Sequence, residues 1–454
     1  MSHQATTPRR WPGRRAIWRW HFYAGLFCIP FVIWLATTGS IYLFKPQIEA
    51  WLDRDYDSRP FDGARAAPSR QVQAALAALP GAAFVAYELP PTPGAAARVQ
   101  LRYQGERYRV LLDPGSAAVL RVQAEDERPM RVLSSLHGSL RAGTPGSLLV
   151  ELAASWAIVM IVSGLVLWWP RQATGLGGVV YPRLSRGDAG GRRFWRDLHG
   201  VIGFWVSALA LFLLLTGLPW TTVWGGGLSA LRSAADRLAP TPDWVIGAVD
   251  PHAAHRAEAG IVDVADADPL PALDRVVAAV EPLQLPAPVL VAPPKAAEPR
   301  VWSVRAEPQN RPRRVTLSVA GDSGLILSRQ DFAQRPLIDR IVGTGVAAHE
   351  GQLFGAWNQA LGVFTALSLI LLCVSAVAMW WKRRPAQQLG APAPIDDGPL
   401  PASFVALLVG LGLLLPMLGL SLVAVLLTER TVLRRWPAAR RFVGLAPVSN
   451  PKNI

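Results

Sequence analysis

Five stretches of the chain carry almost no charge: residues 22–44, 147–169, 200–220, 357–381 and 403–428. Each has the roughly 20 helical residues needed to cross a hydrocarbon core about 30 Å thick. One such run fits a buried soluble helix, but five in one chain point to membrane spans. Between them the pattern changes period. Residues 67–79 read as a short helix, followed by short strands at 84–89, 98–102, 107–112 and 119–122, with Asp113-Pro114-Gly115 as a turn. Residues 270–280 read as helix again, followed by strands at 289–291, 301–306, 314–319 and 325–328, with Gly321-Asp322-Ser323-Gly324 as the turn. The expected fold is a membrane all-α bundle of about five transmembrane helices carrying two small α+β domains.

Four of the spans are two copies of one two-helix unit. His21 is followed by Gly25 and by Thr38-Gly39, and His199 by Gly203 and by Thr216-Gly217, so the spacings from histidine to glycine and to threonine repeat. His137 precedes Trp168-Trp169 by the same interval that separates His349 from Trp380-Trp381. Duplication of this kind is common among membrane proteins. The fifth span lies outside the repeat.

Charge fixes the expected topology. Only 17% of the 454 residues are charged, against about a quarter in a soluble domain. The net charge of +14 would suit nucleic acid, but its placement does not. Arg9, Arg10, Arg14, Arg15 and Arg19 precede the first span. Arg183, Arg186, Arg192, Arg193 and Arg196 lie between the second and third, and Lys382, Arg383 and Arg384 follow the fourth. Such short basic flanks mark cytoplasmic ends. The reading divides the chain into a basic N-terminus (1–21), span 1 (22–44), a first outer domain (45–136), span 2 with its outer lead-in (137–169), an inner loop (170–198), span 3 (199–220), a second outer domain (221–348), span 4 (349–381), an inner linker (382–402), span 5 (403–428) and a basic tail (429–454). Span 1 has no clear small-residue cleavage site after it and reads as a retained anchor. Span 5 reads as a crossing kinked at Pro416. That crossing would put Arg430, Arg434, Arg435, Arg440 and Arg441 outside, against the charge rule; a re-entrant segment is the alternative. The two cysteines, Cys28 and Cys373, both sit inside spans and offer no disulfide framework or metal signature.

The candidate chemistry lies in the four repeat-equivalent histidines. An ionisable group at membrane depth is a functional hypothesis by default. The topology puts His21 and His199 at the inner face, and His137 and His349 at the outer face. Two histidines from different helices at one level suit a b-type haem with one imidazole on each side of the iron. Gly25 and Gly203 would let a porphyrin approach the backbone, and Arg19 and Arg196 would pair with its propionates. The competing readings are histidines capping helix ends, a zinc site, which wants three or four ligands, and a proton relay. His252 and His255 form a His-x-x-His pair in an outer loop, read as a metal contact or, more simply, as solvated polar residues. The tryptophans at span ends read as interfacial anchors. A continuous helix from His137 to Trp168 would be roughly 46 Å long, more than a whole bilayer of about 40–45 Å. A break at Gly143–Gly146 is therefore expected.

The set Trp20-His21-Phe22-Tyr23-Ala24-Gly25, Leu136-His137-Gly138, Asp197-Leu198-His199-Gly200 and the two Trp-Trp exits resembles the PepSY-associated transmembrane family of iron-regulated membrane proteins, over about residues 15–385. The hairpins around Leu112-Asp113-Pro114-Gly115 and Ala320–Gly324 resemble PepSY units. Glu350 stands after His349 where the first copy has Gly138. The resemblance implies a bacterial inner-membrane protein with its PepSY-like domains in the periplasm, and a di-haem reductase of ferric siderophores. His21 with His199, and His137 with His349, would hold two bis-histidine b-type haems and so ligate the iron. No catalytic acid or base is called for. The partners would be a ferric siderophore or similar chelate, the lipid bilayer and an electron donor, either a flavoprotein or a quinol. No nucleotide fingerprint of a fused flavin domain is present. A non-redox anchored protein whose PepSY-like domains bind or inhibit a periplasmic protease or partner is the alternative. A transporter of the chelate has little sequence support.

Overall fold

The computed structural model describes residues 12–58, 63–169, 175–183, 191–235, 270–295, 300–392 and 400–445. In chain order the helices are α1 (Arg14–Tyr42), α2 (Lys45–Asp57), α3 (Pro68–Ala78), α4 (Pro129–Ser139), α5 (Gly143–Trp168), α6 (Arg192–Gly217), α7 (Thr222–Ala235), α8 (Leu270–Val280), α9 (Leu337–His349), α10 (Ala356–Arg383), α11 (Ala402–Leu414), α12 (Pro416–Thr428) and α13 (Pro437–Val443). The strands are β1 (Ala83–Leu89), β2 (Ala97–Tyr103), β3 (Glu106–Leu112), β4 (Val119–Ala124), β5 (Val289–Ala292), β6 (Val301–Ala306), β7 (Val315–Ala320) and β8 (Ile326–Asp331). The chain forms two compact units. Residues 1–40, 137–239 and 363–454 form a helical unit; residues 41–136 and 240–362 form a unit built on the sheet.

Among the described residues five helices are long and apolar enough to cross a membrane: Arg14–Tyr42, Gly143–Trp168, Arg192–Trp220, Ala356–Arg383 and Pro416–Leu433. The protein is a multi-pass membrane protein. The long helix feared from His137 to Trp168 does not exist. Leu140 and Arg141 take positive φ, so α4 stops at Ser139 and α5 starts afresh at Gly143. Gly143–Gly146, expected to break the helix, instead form the first turn of α5. In the second copy α9 stops at His349 and α10 starts at Ala356.

The segment 403–428, expected as one kinked span, is two helices. Pro416 has no N–H to donate, and its ring restricts the residue before it. Leu415 accordingly leaves the helical region, at φ −121° and ψ 83°. The chain then doubles back. A Cβ on Gly419 would lie 2.7 Å from the Gly412 carbonyl oxygen, so the two helices meet on bare backbone. Both ends of this hairpin return to the N-terminal end of α1. Phe404 stacks on Trp20 with ring centres 5.2 Å apart. Beyond the hairpin, Gly444 O accepts from Arg19 at 3.1 Å and Val443 O accepts from the Tyr23 hydroxyl at 2.5 Å. Near its turn, Leu415 and Leu418 pack with Leu218 at the far end of α6, and Ser421 accepts from the Trp156 indole at 3.0 Å. A carboxylate is also buried among these helices. Glu151 of α5 accepts from the Val223 and Trp224 amides at 2.8 and 2.9 Å, which caps the start of α7 with a charge-assisted pair.

The sheet unit departs from two separate α+β domains. Its strands form one antiparallel sheet in the order β4-β3-β2-β1-β5-β6-β7-β8. The two copies are therefore joined through β1 and β5, with Tyr87 opposite Val291 and Leu89 opposite Val289. On one face α3 and α8 lie side by side, and Asp274 accepts from the Ser69 amide and hydroxyl at 2.8 and 2.6 Å. Val72, Leu101, Leu112, Leu273, Val276, Trp302, Val304 and Leu317 meet there in one core. The period-2 alternation sends the other side chains of β2, β3, β6 and β7 to the opposite face, which is polar.

The return of the hairpin to the Trp20 end of α1 predicts that both chain termini lie on the same side of the membrane. Paired topology reporters fused to the N- and C-termini should agree; reporters giving opposite sides would contradict the hairpin.

Candidate functional site

His21 and His199 are brought together in the helical unit. Each stands one to two turns inside a helix with an arginine-rich start: Arg14, Arg15 and Arg19 on α1, and Arg192, Arg193 and Arg196 on α6. Their ring centres are 6.5 Å apart and their planes nearly perpendicular, at 85°. Two imidazoles bound to opposite sides of one metal, with bonds of about 2 Å, have ring centres about 6.3 Å apart. The pair stands at that spacing.

The hydrogen bonds fix which nitrogen is offered. His21 Nδ1 lies 3.0 Å from Ser163 Oγ, and His199 Nδ1 lies 2.9 Å from Ser375 Oγ and 3.1 Å from the Leu372 carbonyl. Each serine already donates its one proton to its own helix, Ser163 to Met160 O at 3.1 Å and Ser375 to Leu372 O at 2.8 Å. The serine oxygen can therefore only accept from the ring. Both histidines carry their proton on Nδ1 and present Nε2 with a lone pair, the arrangement that orients a metal-ligating imidazole. The pattern recurs at His137. Its Nδ1 lies 2.9 Å from Thr38 Oγ1, and that hydroxyl donates to Trp34 O at 2.8 Å. His137 belongs to the helical unit. His349 closes α9 in the sheet unit, where the neighbouring Glu350 pairs with the buried Arg311 at 3.7 Å. That ion pair accounts for a glutamate where the first copy has Gly138.

Several expectations for the surroundings change. A Cβ on Gly25 or Gly203 would make an ordinary contact, with Met160 Sδ and Leu372 Cδ2 respectively, each at 3.7 Å. The two glycines set how closely α1 packs on α5 and α6 on α10. The glycines that touch imidazole are Gly164, where a Cβ would lie 3.1 Å from His21 Cε1, and Gly39, where it would lie 3.1 Å from His137 Cε1. Arg19 is engaged by the Pro392 and Gly444 carbonyls, and Arg196 by the buried Asp197, which also accepts from Arg183. The exit tryptophans tie down the segments that follow them: Trp168 donates to Val179 O at 2.9 Å and Trp380 to Leu389 O at 2.8 Å. His252 and His255 fall outside the described residues.

Ser163 and Ser375 escaped the sequence reading although they carried a signal. Each stands 26 residues after its copy's histidine, His137 or His349. A serine inside a span reads as ordinary until its partner is known. Among the described residues no group of three or more His, Cys, Asp or Glu side chains gathers as a metal cage, so His21 and His199 lack the further protein ligands of a tetrahedral zinc site.

A family model described as the PepSY-associated TM region matches residues 18–383. Comparison with curated proteins gives no match.

The contact at Gly164 sets a steric test. Gly164→Val should push the His21 ring off Ser163 and destabilise the helical unit by about 1–3 kcal/mol, the usual cost of overpacking. Gly164→Ala should cost less, because the second copy carries Ala376 at this position. Thermal melts in detergent rank the two against the parent chain.

Proposed function

We propose that this chain, which belongs to the PepSY-associated TM family, is a b-type haem electron-transfer protein of the bacterial inner membrane. It would reduce a ferric siderophore or similar ferric chelate at its periplasmic face. What supports this above all is the spacing of His21 and His199 together with their shared tautomer: two imidazoles, each protonated on Nδ1 and with Nε2 unengaged among the described residues, at the separation that two ligands of one metal would need. A b-type haem bound there would supply a one-electron ferric/ferrous couple.

The residues of the chain have definable tasks in this reading. His21 and His199 would hold the haem iron, while Ser163 and Ser375 hold the two rings and would raise their basicity as donors. Gly164 leaves room for the His21 ring. His137, held by Thr38 in the helical unit, and His349 in the sheet unit would each offer a further ligand. The sheet unit, placed outside, holds the chelate. Hard oxygen chelators bind ferric iron better than ferrous iron, so reduction alone loosens the metal and no side chain need act as acid or base. The electron donor in this reading is a flavoprotein or a quinol.

A reduced-minus-oxidised spectrum of the purified protein should show b-type bands, and His21→Ala or His199→Ala should remove the part due to this pair while the protein stays folded. Absence of the bands from the parent protein would sink the redox reading and favour a non-redox, partner-binding role for the sheet unit. Ser163→Ala and Ser375→Ala should keep the bands but raise the midpoint potential, because a less basic imidazole stabilises ferric iron less. Unchanged potentials in both would remove the serines from their orienting role.

A further inference from the structure

Ion pairing on the polar face of the sheet is dense in one region and stops abruptly in another. Arg98 meets Asp57 at 2.7 Å and Asp53 at 3.3 Å. Arg109 meets Glu88 at 3.1 Å and Glu125 at 3.0 Å. Arg128 meets Glu125 at 3.1 Å and Glu49 at 3.3 Å. These carboxylates are then occupied. One hairpin end away, Arg102 of β2 and Arg107 of β3 stand directly opposite each other, and among the described residues neither side chain has an ion-pair or hydrogen-bond partner. Arg102 even buries its Nε unsatisfied. Like charges placed opposite on adjacent strands destabilise a sheet, and a buried guanidinium N–H without a partner costs more.

Two more arginines on this side of the sheet lie within electrostatic reach of Arg107. Among the described residues Arg131 on α4 has one ion-pair partner, the shared Glu125, at 3.7 Å. Arg305 on β6 lies 3.5 Å from Glu307, and the facing atoms, Arg305 Nε and Glu307 Oε1, are both buried without a hydrogen bond. Partial burial, then the charges of Arg102 and Arg131, with Arg305 adding to them, hold the Arg107 guanidinium below its ordinary pKa despite Glu125. Arg107 is exposed and the other three are half-buried, so the four are open to a ligand.

We infer that Arg102, Arg107, Arg131 and Arg305 form a binding site for a small, multiply charged oxyanion, namely a ferric chelate whose ligands are carboxylates or other anionic oxygens. Guanidinium forks match such oxygens two at a time, and several converging forks favour a multidentate anion over a single carboxylate. The identification as a chelate rests on the proposed reductase function; the anion site stands on its own geometry. Ferric complexes of neutral overall charge are not selected by this site.

The test is titration of the full chain, in nanodiscs of zwitterionic lipid, with ferric citrate, with citrate and with a neutral ferric trihydroxamate. Ferric citrate should bind saturably and weaken as salt screens the site. Arg102→Gln/Arg107→Gln should weaken it at least about tenfold, as loss of charged donors predicts. The double variant should melt no lower than the parent chain, since its repulsion is gone. Arg313→Gln, on an exposed turn, should change nothing. Absence of saturable binding by ferric citrate and citrate, or equal affinity in the double variant, would overturn the site. So would loss of citrate binding in anionic-lipid nanodiscs, which would make these arginines a phospholipid headgroup site. Binding lost with haem bands intact counts against the site alone. Binding present without haem bands keeps the anion site and counts against the reductase reading.

Discussion

The proton that a serine donates to its own helix backbone is the constraint on which the histidine pair depends. Because Ser163 Oγ–H points at Met160 O and Ser375 Oγ–H at Leu372 O, the neighbouring rings must donate from Nδ1. At His199 the Leu372 carbonyl, 3.1 Å from Nδ1, imposes the same requirement, and a water-filled pocket would let the rings turn. The same device, built from Thr38, holds His137. A hydroxyl bonded back to its own helix is ordinary within membranes. Here that ordinary bond removes the donor and makes the hydroxyl a pure acceptor, and the ring opposite is left with one way to be satisfied.

Much of this was legible in the chain. The four repeated spans, the break after His137 and nearly every strand follow from hydropathy and period, because those signals are local. Residues 270–280 and 301–306 were read at their structural bounds. The pairing of His21 with His199 followed from duplication and charge-based topology. The joining of the two outer segments was hidden, since β1 and β5 are some 200 residues apart and nothing local marks which edge meets which. The hairpin was hidden in part. Pro416 was visible as a kink, but the close approach of Gly412 to Gly419 depends on backbone contact between two helices, and only that contact shows that the chain turns back. The polar face of the sheet was also missed, because alternation shows that side chains share a face but not which charges are left over when the ion pairs are made.

The hairpin also resolves a conflict that the charge pattern posed. The tail arginines sit after an apolar segment that, crossed once, would carry them to the wrong side. With Phe404 on Trp20 and Val443 beside Tyr23, the helix carrying Arg440 and Arg441 lies by the start of α1, which carries Arg14, Arg15 and Arg19. Length and hydropathy identify an apolar helix; where its neighbours hold its two ends identifies its path.

The seam between β1 and β5 has a consequence for the history of the chain. Two copies that merely followed one another could be separated, shuffled or lost singly. Copies that share a sheet cannot, because parting them would bare two central strands as adhesive edges and split the core beneath α3 and α8. Once the seam had formed, the duplicated halves were bound to vary as one molecule. Differences such as Gly164 against Ala376, or Gly138 against Glu350, are then specialisations within a single heritable unit, free to make the two copies unequal.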